Sequence, residues 1–245
     1  MSEGGASLLT SDSLFDGELT VYQEREGYRF SVDSVLLAGL TRVEAQDRVM
    51  DLGTGCGVVS LILCRREPAA SYVAIEIQPR LVELAQRNVE HNHMTDRITP
   101  LGMDFREVRK HFPAESFDLV VSNPPYRRMH SGRINPNRQR AMARHEICGS
   151  VRDVCAAAKH LLSPGGRLTI IYSAERLDHL MSVAHEQGLS PKVLTVIYTN
   201  GAGPAKLVHL ECRKGAGPQL RIEQPFYIYR EEGGYTEAMR RFYQE

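Results

Sequence analysis

The chain has 245 residues, enough for one sizeable core, and its 42% apolar and 24% charged content is ordinary for a globular protein. Its 30 basic and 30 acidic side chains cancel to a formal net charge of zero, so any case for nucleic acid has to rest on a local patch. Cys56, Cys64, Cys148, Cys155 and Cys212 are scattered without CxxC spacing and read as reduced small hydrophobes rather than metal ligands. No basic-then-apolar leader opens the sequence and no apolar run reaches membrane-spanning length, so a cytoplasmic protein with no membrane contact is expected.

In chain order, residues 1–18 are small and polar and are expected as a flexible arm, followed by one domain over 19–245. Residues 19–23 and 28–32 alternate apolar and polar around Glu24-Arg25-Glu26-Gly27, the pattern of a short hairpin. Val35, Leu36, Leu40 and Val43 give residues 33–45 a helical stripe, so that hairpin and helix together fill 19–45. Strand and helix signals then alternate. Residues 48–52 read as a buried strand, 58–66 as a helix, 72–77 as a strand, and a helix opens at Pro79 with Leu81, Ala85 and Val89 on one face. Residues 98–103 and 117–122 are further strands. Ser150 and Asp153 have capping-box spacing for a helix running to Leu162, and Ser163-Pro164-Gly165-Gly166 is expected to stop it. A strand over 167–172, a helix over 174–187 and an antiparallel pair over 193–198 and 206–212 complete the pattern. The alternation predicts an α/β fold: a mostly parallel sheet with helices on both faces and an antiparallel edge.

Two motifs carry the chemistry. The turn Asp51-Leu52-Gly53-Thr54-Gly55-Cys56-Gly57 follows the first strand of the alternating region, with Val58 where a dinucleotide fold would need its third glycine. A carboxylate at such a mouth repels a pyrophosphate but suits a ligand bearing an ammonium and a sulfonium, which points to S-adenosyl-L-methionine (AdoMet). Glu76, at the end of the second strand, is placed to take ribose hydroxyls. Asp104 and Phe105, after the third, are placed to accept from the adenine amine and pack on its ring.

Asn123-Pro124-Pro125-Tyr126 ends the fourth strand. An exocyclic adenine nitrogen or a glutamine amide is a poor nucleophile, because its lone pair is delocalised. The Asn123 side-chain oxygen and the Pro124 carbonyl can accept its two N–H protons and aim the lone pair at a methyl group. Pro124 and Pro125 stiffen the loop in advance, and Tyr126 can stack on a planar substrate. Neither a metal nor a covalent nucleophile is called for, and the motif alone leaves adenine and glutamine equally open.

Beyond the motif, Arg127, Arg128, Arg133, Arg138, Arg140 and Arg144, with His130 and His145, meet no acid before Glu146. A basic run beside a catalytic loop, in a chain of zero net charge, is where an RNA phosphate backbone would lie.

Asn-Pro-Pro-Tyr, Gly132-Arg133-Ile134-Asn135-Pro136, Ala143-Arg144-His145-Glu146, Ser163-Pro164-Gly165-Gly166, Gly203-Pro204-Ala205-Lys206-Leu207 and the Tyr229 to Tyr235 segment together resemble the bacterial tRNA(Val) adenine-N6 methyltransferases. These modify the adenine beside the anticodon. The resemblance implies a Rossmann-like, seven-stranded AdoMet-dependent methyltransferase fold acting on tRNA. It also implies that Asp51, Gly53, Gly55, Glu76, Asp104 and Asn123 line the cofactor, that Asn123 to Tyr126 hold the base, and that Phe30 and Asp33 stand near the cofactor. Tyr198-Thr199-Asn200 departs from the more basic or proline-containing turn expected there. Protein glutamine-N5 methyltransferases share Asn-Pro-Pro-Tyr but carry a helical substrate domain ahead of the glycine turn, for which the residues before Asp51 leave little room. Adenine-N6 methylation of another RNA is the remaining alternative.

Overall fold

A computed structural model describes residues 9–25, 29–124 and 149–244. In chain order the strands and helices are β1 (Leu9–Leu14), β2 (Leu19–Glu24), α1 (Val32–Leu40), β3 (Arg48–Leu52), α2 (Val58–Arg66), β4 (Ser71–Glu76), α3 (Pro79–His91), β5 (Ile98–Gly102), α4 (Val108–His111) and β6 (Phe117–Ser122). Then come α5 (Val151–Leu161), β7 (Leu162–Ser173), α6 (Leu177–Glu186), β8 (Leu189–Tyr198), β9 (Leu207–Lys214), β10 (Arg221–Ile222), β11 (Phe226–Tyr227) and α7 (Glu237–Gln244).

The main sheet runs β10-β8-β9-β7-β6-β3-β4-β5, with β11 also on β8. Every pairing in it is parallel except those of β9, which is antiparallel to both β7 and β8. The antiparallel strand therefore lies inside the sheet rather than at its rim, and two short strands extend the edge beyond the expected seven. Strand residues alternate between faces, as a pleated strand requires. Val49, Leu119 and Val121 join an apolar cluster with α1, α2 and α3, whereas Met50, Leu52 and Val120 join another with α5 and α6. Burial of each such Leu or Val contributes on the order of 1.5–3 kcal/mol, and that double-sided burial fixes the strands.

From β3 the chain moves outward to β4 and β5, then returns to β6 on the other side of β3. The carboxyl ends of β3 and β6 therefore flank the point where strand order reverses, where open α/β sheets leave a crevice for a ligand.

The hairpin differs from expectation. Residues 9–14, assigned to the flexible arm, form β1 and pair antiparallel with β2, with Leu14 opposite Leu19. Asp16 and Gly17 make the turn at positive φ (52° and 99°). An Asp-Gly pair is a strong hairpin signal, but the polar run Thr10 to Ser13 hides the strand before it. Residues 29–31 instead lead into α1, which Ser31 caps by accepting from the Asp33 amide. The hairpin is docked by side-chain amides of α3. Tyr22 N–H donates to Asn88 Oδ1 at 2.7 Å, and Asn88 Nδ2 donates to Tyr22 O and Cys56 O, both at 2.9 Å. One turn along, Asn92 exchanges the same pair of bonds with Thr20.

Ser150 and Asp153 form the expected capping box on α5. The helix α5 ends at Leu161, just before Ser163-Pro164-Gly165-Gly166, as expected, but strand β7 begins earlier than expected: Leu162 pairs with Phe117 before a register shift, and the glycine-containing stretch bulges within the strand. α7 closes onto α1, where a Cβ on Gly39 would lie 2.4 Å from the Phe242 ring. No helix among the described residues is long and apolar enough to cross a membrane.

Candidate active site

The glycine turn joins β3 to α2. Gly53, Gly55 and Gly57 have φ of 74°, 60° and 87°, a region that side chains with a Cβ rarely adopt. The Gly53 and Thr54 amides both donate to Ile75 O, at 2.9 and 3.0 Å, which locks the turn against the end of β4. A Cβ at Gly57 would touch Ala85 at 3.4 Å, whereas one at Gly53 would meet nothing within 4 Å. The backbone at Gly53 thus faces open space.

Two acids hold this turn. Asp51 is 2% exposed, and its Oδ2 accepts from Thr54 Oγ1 at 2.6 Å and Ser60 Oγ at 2.8 Å. Burial pushes its carboxyl up to about 6; the Thr54 and Ser60 hydrogen bonds oppose that rise and the nearby Glu76 charge adds to it. Glu76 accepts from the Gly55 amide at 3.1 Å through Oε2 and from the Gln78 amide at 2.9 Å through Oε1.

Across the crevice, Ser122 Oγ donates to Leu52 O at 2.9 Å. Asn123 follows, half-buried, and its Nδ2 donates to Ser34 Oγ in the first turn of α1 at 3.3 Å. Pro124 is buried.

Asp51, Gly53, Gly55 and Glu76 are therefore gathered around one turn, with Asn123 at the end of the neighbouring strand. Asp104 and Phe105, after β5, have partners of their own. Asp104 caps a short helical turn and is engaged by Arg106, with Nε to Oδ2 at 2.8 Å; together with the Arg106 amide this holds its carboxyl below the usual carboxylate range, despite partial burial. Phe105 is 8% exposed and packs in the cluster around α5, with its ring against Gly149. Phe30 packs on the other cluster, its amide donating to Gln23 Oε1 at 3.1 Å, and Asp33 stands in the first turn of α1. Pro125, Tyr126, Arg127, Arg128, Arg133, Arg138, Arg140 and Arg144 lie outside the described residues, as do His130 and His145.

Four side chains that sequence reasoning did not single out complete the group: Ser34, Thr54, Ser60 and Ser122. Thr54 lies inside the motif, and Ser60 stands one turn into α2 at a position where a hydroxyl points back at Asp51. For Ser34, far from Asn123 in sequence, no local signal exists.

A family model described as the methyltransferase small domain matches residues 30–184. A tRNA1(Val) (adenine(37)-N6)-methyltransferase of Bacteroides fragilis is 31% identical over 233 residues, spanning 92% of this chain and 95% of its own. One from Porphyromonas gingivalis is 35% identical over 177 residues, covering 70% and 69% of the two chains. Among solved structures, that of a predicted O-methyltransferase from Agrobacterium tumefaciens superposes with a TM-score of 0.71 at 20% identity, over 86% of this chain and 94% of the other. At that identity the likeness speaks for the fold alone.

Proposed function

The chain belongs to the methyltransferase small-domain family, and from that premise we propose that it is an AdoMet-dependent adenine-N6 methyltransferase acting on tRNA, with tRNA(Val) at the adenine beside the anticodon as its substrate. The observation that carries the reading is the bond from Ser122 to Leu52, which sets Asn123 at the mouth of the glycine turn. The open backbone at Gly53 and the acids Asp51 and Glu76 suit a ligand that is cationic at one end and carries ribose hydroxyls in the middle.

When bound, AdoMet supplies an electrophilic methyl group on a sulfonium. The rest falls to the chain. Glu76, already oriented by two backbone amides, retains lone pairs for ribose hydroxyls. Asn123 Oδ1 accepts a hydrogen bond from one N–H of the exocyclic amine and the Pro124 carbonyl from the other, which turns the nitrogen lone pair toward the methyl group; the single proton the nitrogen sheds on methylation leaves to solvent. These acceptors are in place before the reaction and need no reorganisation during it. The arginines from Arg127 to Arg144 supply a counter-charge for phosphates. The described cysteines, Cys56, Cys64, Cys155 and Cys212, are buried free thiols, in keeping with a cytoplasmic setting.

The test is nucleoside mass spectrometry of tRNA incubated with the protein and labelled AdoMet. N6-methyladenosine in tRNA(Val) is the expected product. Label in protein glutamine with none in RNA would overturn the reading.

A further inference from the structure

We propose that Ser34 is a positioning residue for the transfer step: its hydroxyl fixes the side-chain amide of Asn123 in the one orientation that presents oxygen to the amine. The proposal rests on the catalytic reading of Asn123 given above.

An asparagine amide has two faces of opposite character. Turned one way it offers a carbonyl oxygen to the substrate; turned the other it offers an NH2, which would meet a substrate NH2 donor to donor. Something must distinguish the two. In this structure Asn123 Nδ2 donates to Ser34 Oγ at 3.3 Å, so the amide nitrogen is drawn toward α1, and among the described residues Oδ1 has no hydrogen-bond partner.

Ser34 is well suited to act as a fixed reference. It is 2% exposed, so water does not compete strongly for its hydroxyl. Its backbone is held in the first turn of α1, with its amide donating to Ser31 O at 3.1 Å and Ser31 capping the helix. The residues that follow it, Val35, Leu36, Leu37 and Ala38, are fully buried and anchor that helix in the core. The Asn123 backbone is restrained independently, through Ser122 to Leu52. Asparagine is thus gripped at main chain and side chain by two separate elements, β3 and α1. That is how a scaffold holds an acceptor within the tight tolerance that catalysis demands.

The experiment compares Ser34→Ala, Ser34→Thr, Asn123→Ala and the double Ala variant by single-turnover methylation of tRNA, with AdoMet affinity from calorimetry and stability from thermal melting. Loss of one orienting hydrogen bond should lower the Ser34→Ala rate on the order of tenfold, with AdoMet affinity and RNA KM unchanged. Ser34→Thr, which keeps the hydroxyl, should recover most of the rate. The double variant should be no slower than Asn123→Ala, because Ser34 acts only through Asn123. A Ser34→Ala protein with full turnover beside a crippled Asn123→Ala would overturn the positioning role and leave the functional reading intact, and so would two losses that multiply. Full turnover by Asn123→Ala would instead remove the catalytic role of Asn123 on which the proposal rests.

Discussion

Ser122 and Leu52 are register partners in adjacent parallel strands, and the Ser122 hydroxyl adds a bond to the Leu52 carbonyl at 2.9 Å. The link joins the last residue of β6 to the last residue of β3, so the two loops that follow leave the sheet from a common anchor. Ser122 is fully buried. Ser122→Ala leaves the Leu52 carbonyl without that donor and should destabilise the fold by about 1–3 kcal/mol in urea titrations. Both AdoMet affinity and turnover should decline in that variant, since both loops lose a shared support.

Asn123→Ala should separate the two. Removing one preorganised acceptor should slow methylation on the order of 10²-fold or more, while AdoMet affinity changes little. Near-normal turnover would reduce the Asn-Pro-Pro stretch to a turn.

Asp51 should give a pH signature. Its carboxyl sits at about 6 in the folded chain against an ordinary 3.8, so the folded state holds the proton more tightly than the unfolded one. The stability this contributes is fully present below about pH 4 and is lost as pH rises through 6, a change of roughly 3 kcal/mol. Urea titrations of the unliganded protein and of Asp51→Asn between pH 4 and 7 should differ by a term falling in that direction. Binding of a cationic ligand favours the ionised form, so AdoMet affinity should rise over the same window and binding near pH 6 should release a proton. A pH-independent affinity would remove Asp51 from the cofactor's electrostatics.

Asn88 is fully buried and serves Tyr22 and Cys56 at once. Asn88→Ala should lower stability by about 2–4 kcal/mol, because several backbone groups lose their partner together. Asn88→Asp should be worse, since it turns a carboxylate oxygen toward two carbonyls. Thermal melts of both variants check the order.

If the arginines after the motif pair with phosphates, Arg138→Ala with Arg140→Ala should reduce the slope of log affinity for tRNA against log salt by about one unit for each phosphate no longer neutralised. AdoMet binding should be unaffected. An unchanged slope would leave the RNA assignment without this electrostatic support.

The alternating core was legible because its signals are local. β3, α2 and β6 coincide with apolar runs bounded by glycine or turn residues, and the capping box at Ser150 is written in four consecutive residues. What stayed hidden depends on distant partners. β1 is too polar to show a two-residue period, and its strand character comes from pairing with β2. Strands as short as β10 and β11 have no periodicity to read. At the candidate site, motif and position singled out Asp51, the glycines, Glu76 and Asn123, which the fold gathers at the ends of β3, β4 and β6. Their hydroxyl partners were not legible, because Ser34 reaches Asn123 only through the fold. Asp104 has a local partner that position alone did not reveal: Arg106, two residues on, engages its carboxylate.

The seating of Phe242 over Gly39 makes the packing of α1 depend on a residue far away in sequence. The chain has to bring α7 back onto α1 before that flank is covered, and until it does the apolar surface stays open to chaperones or to premature association. A chain cut before α7 would therefore carry the flank of α1 bare.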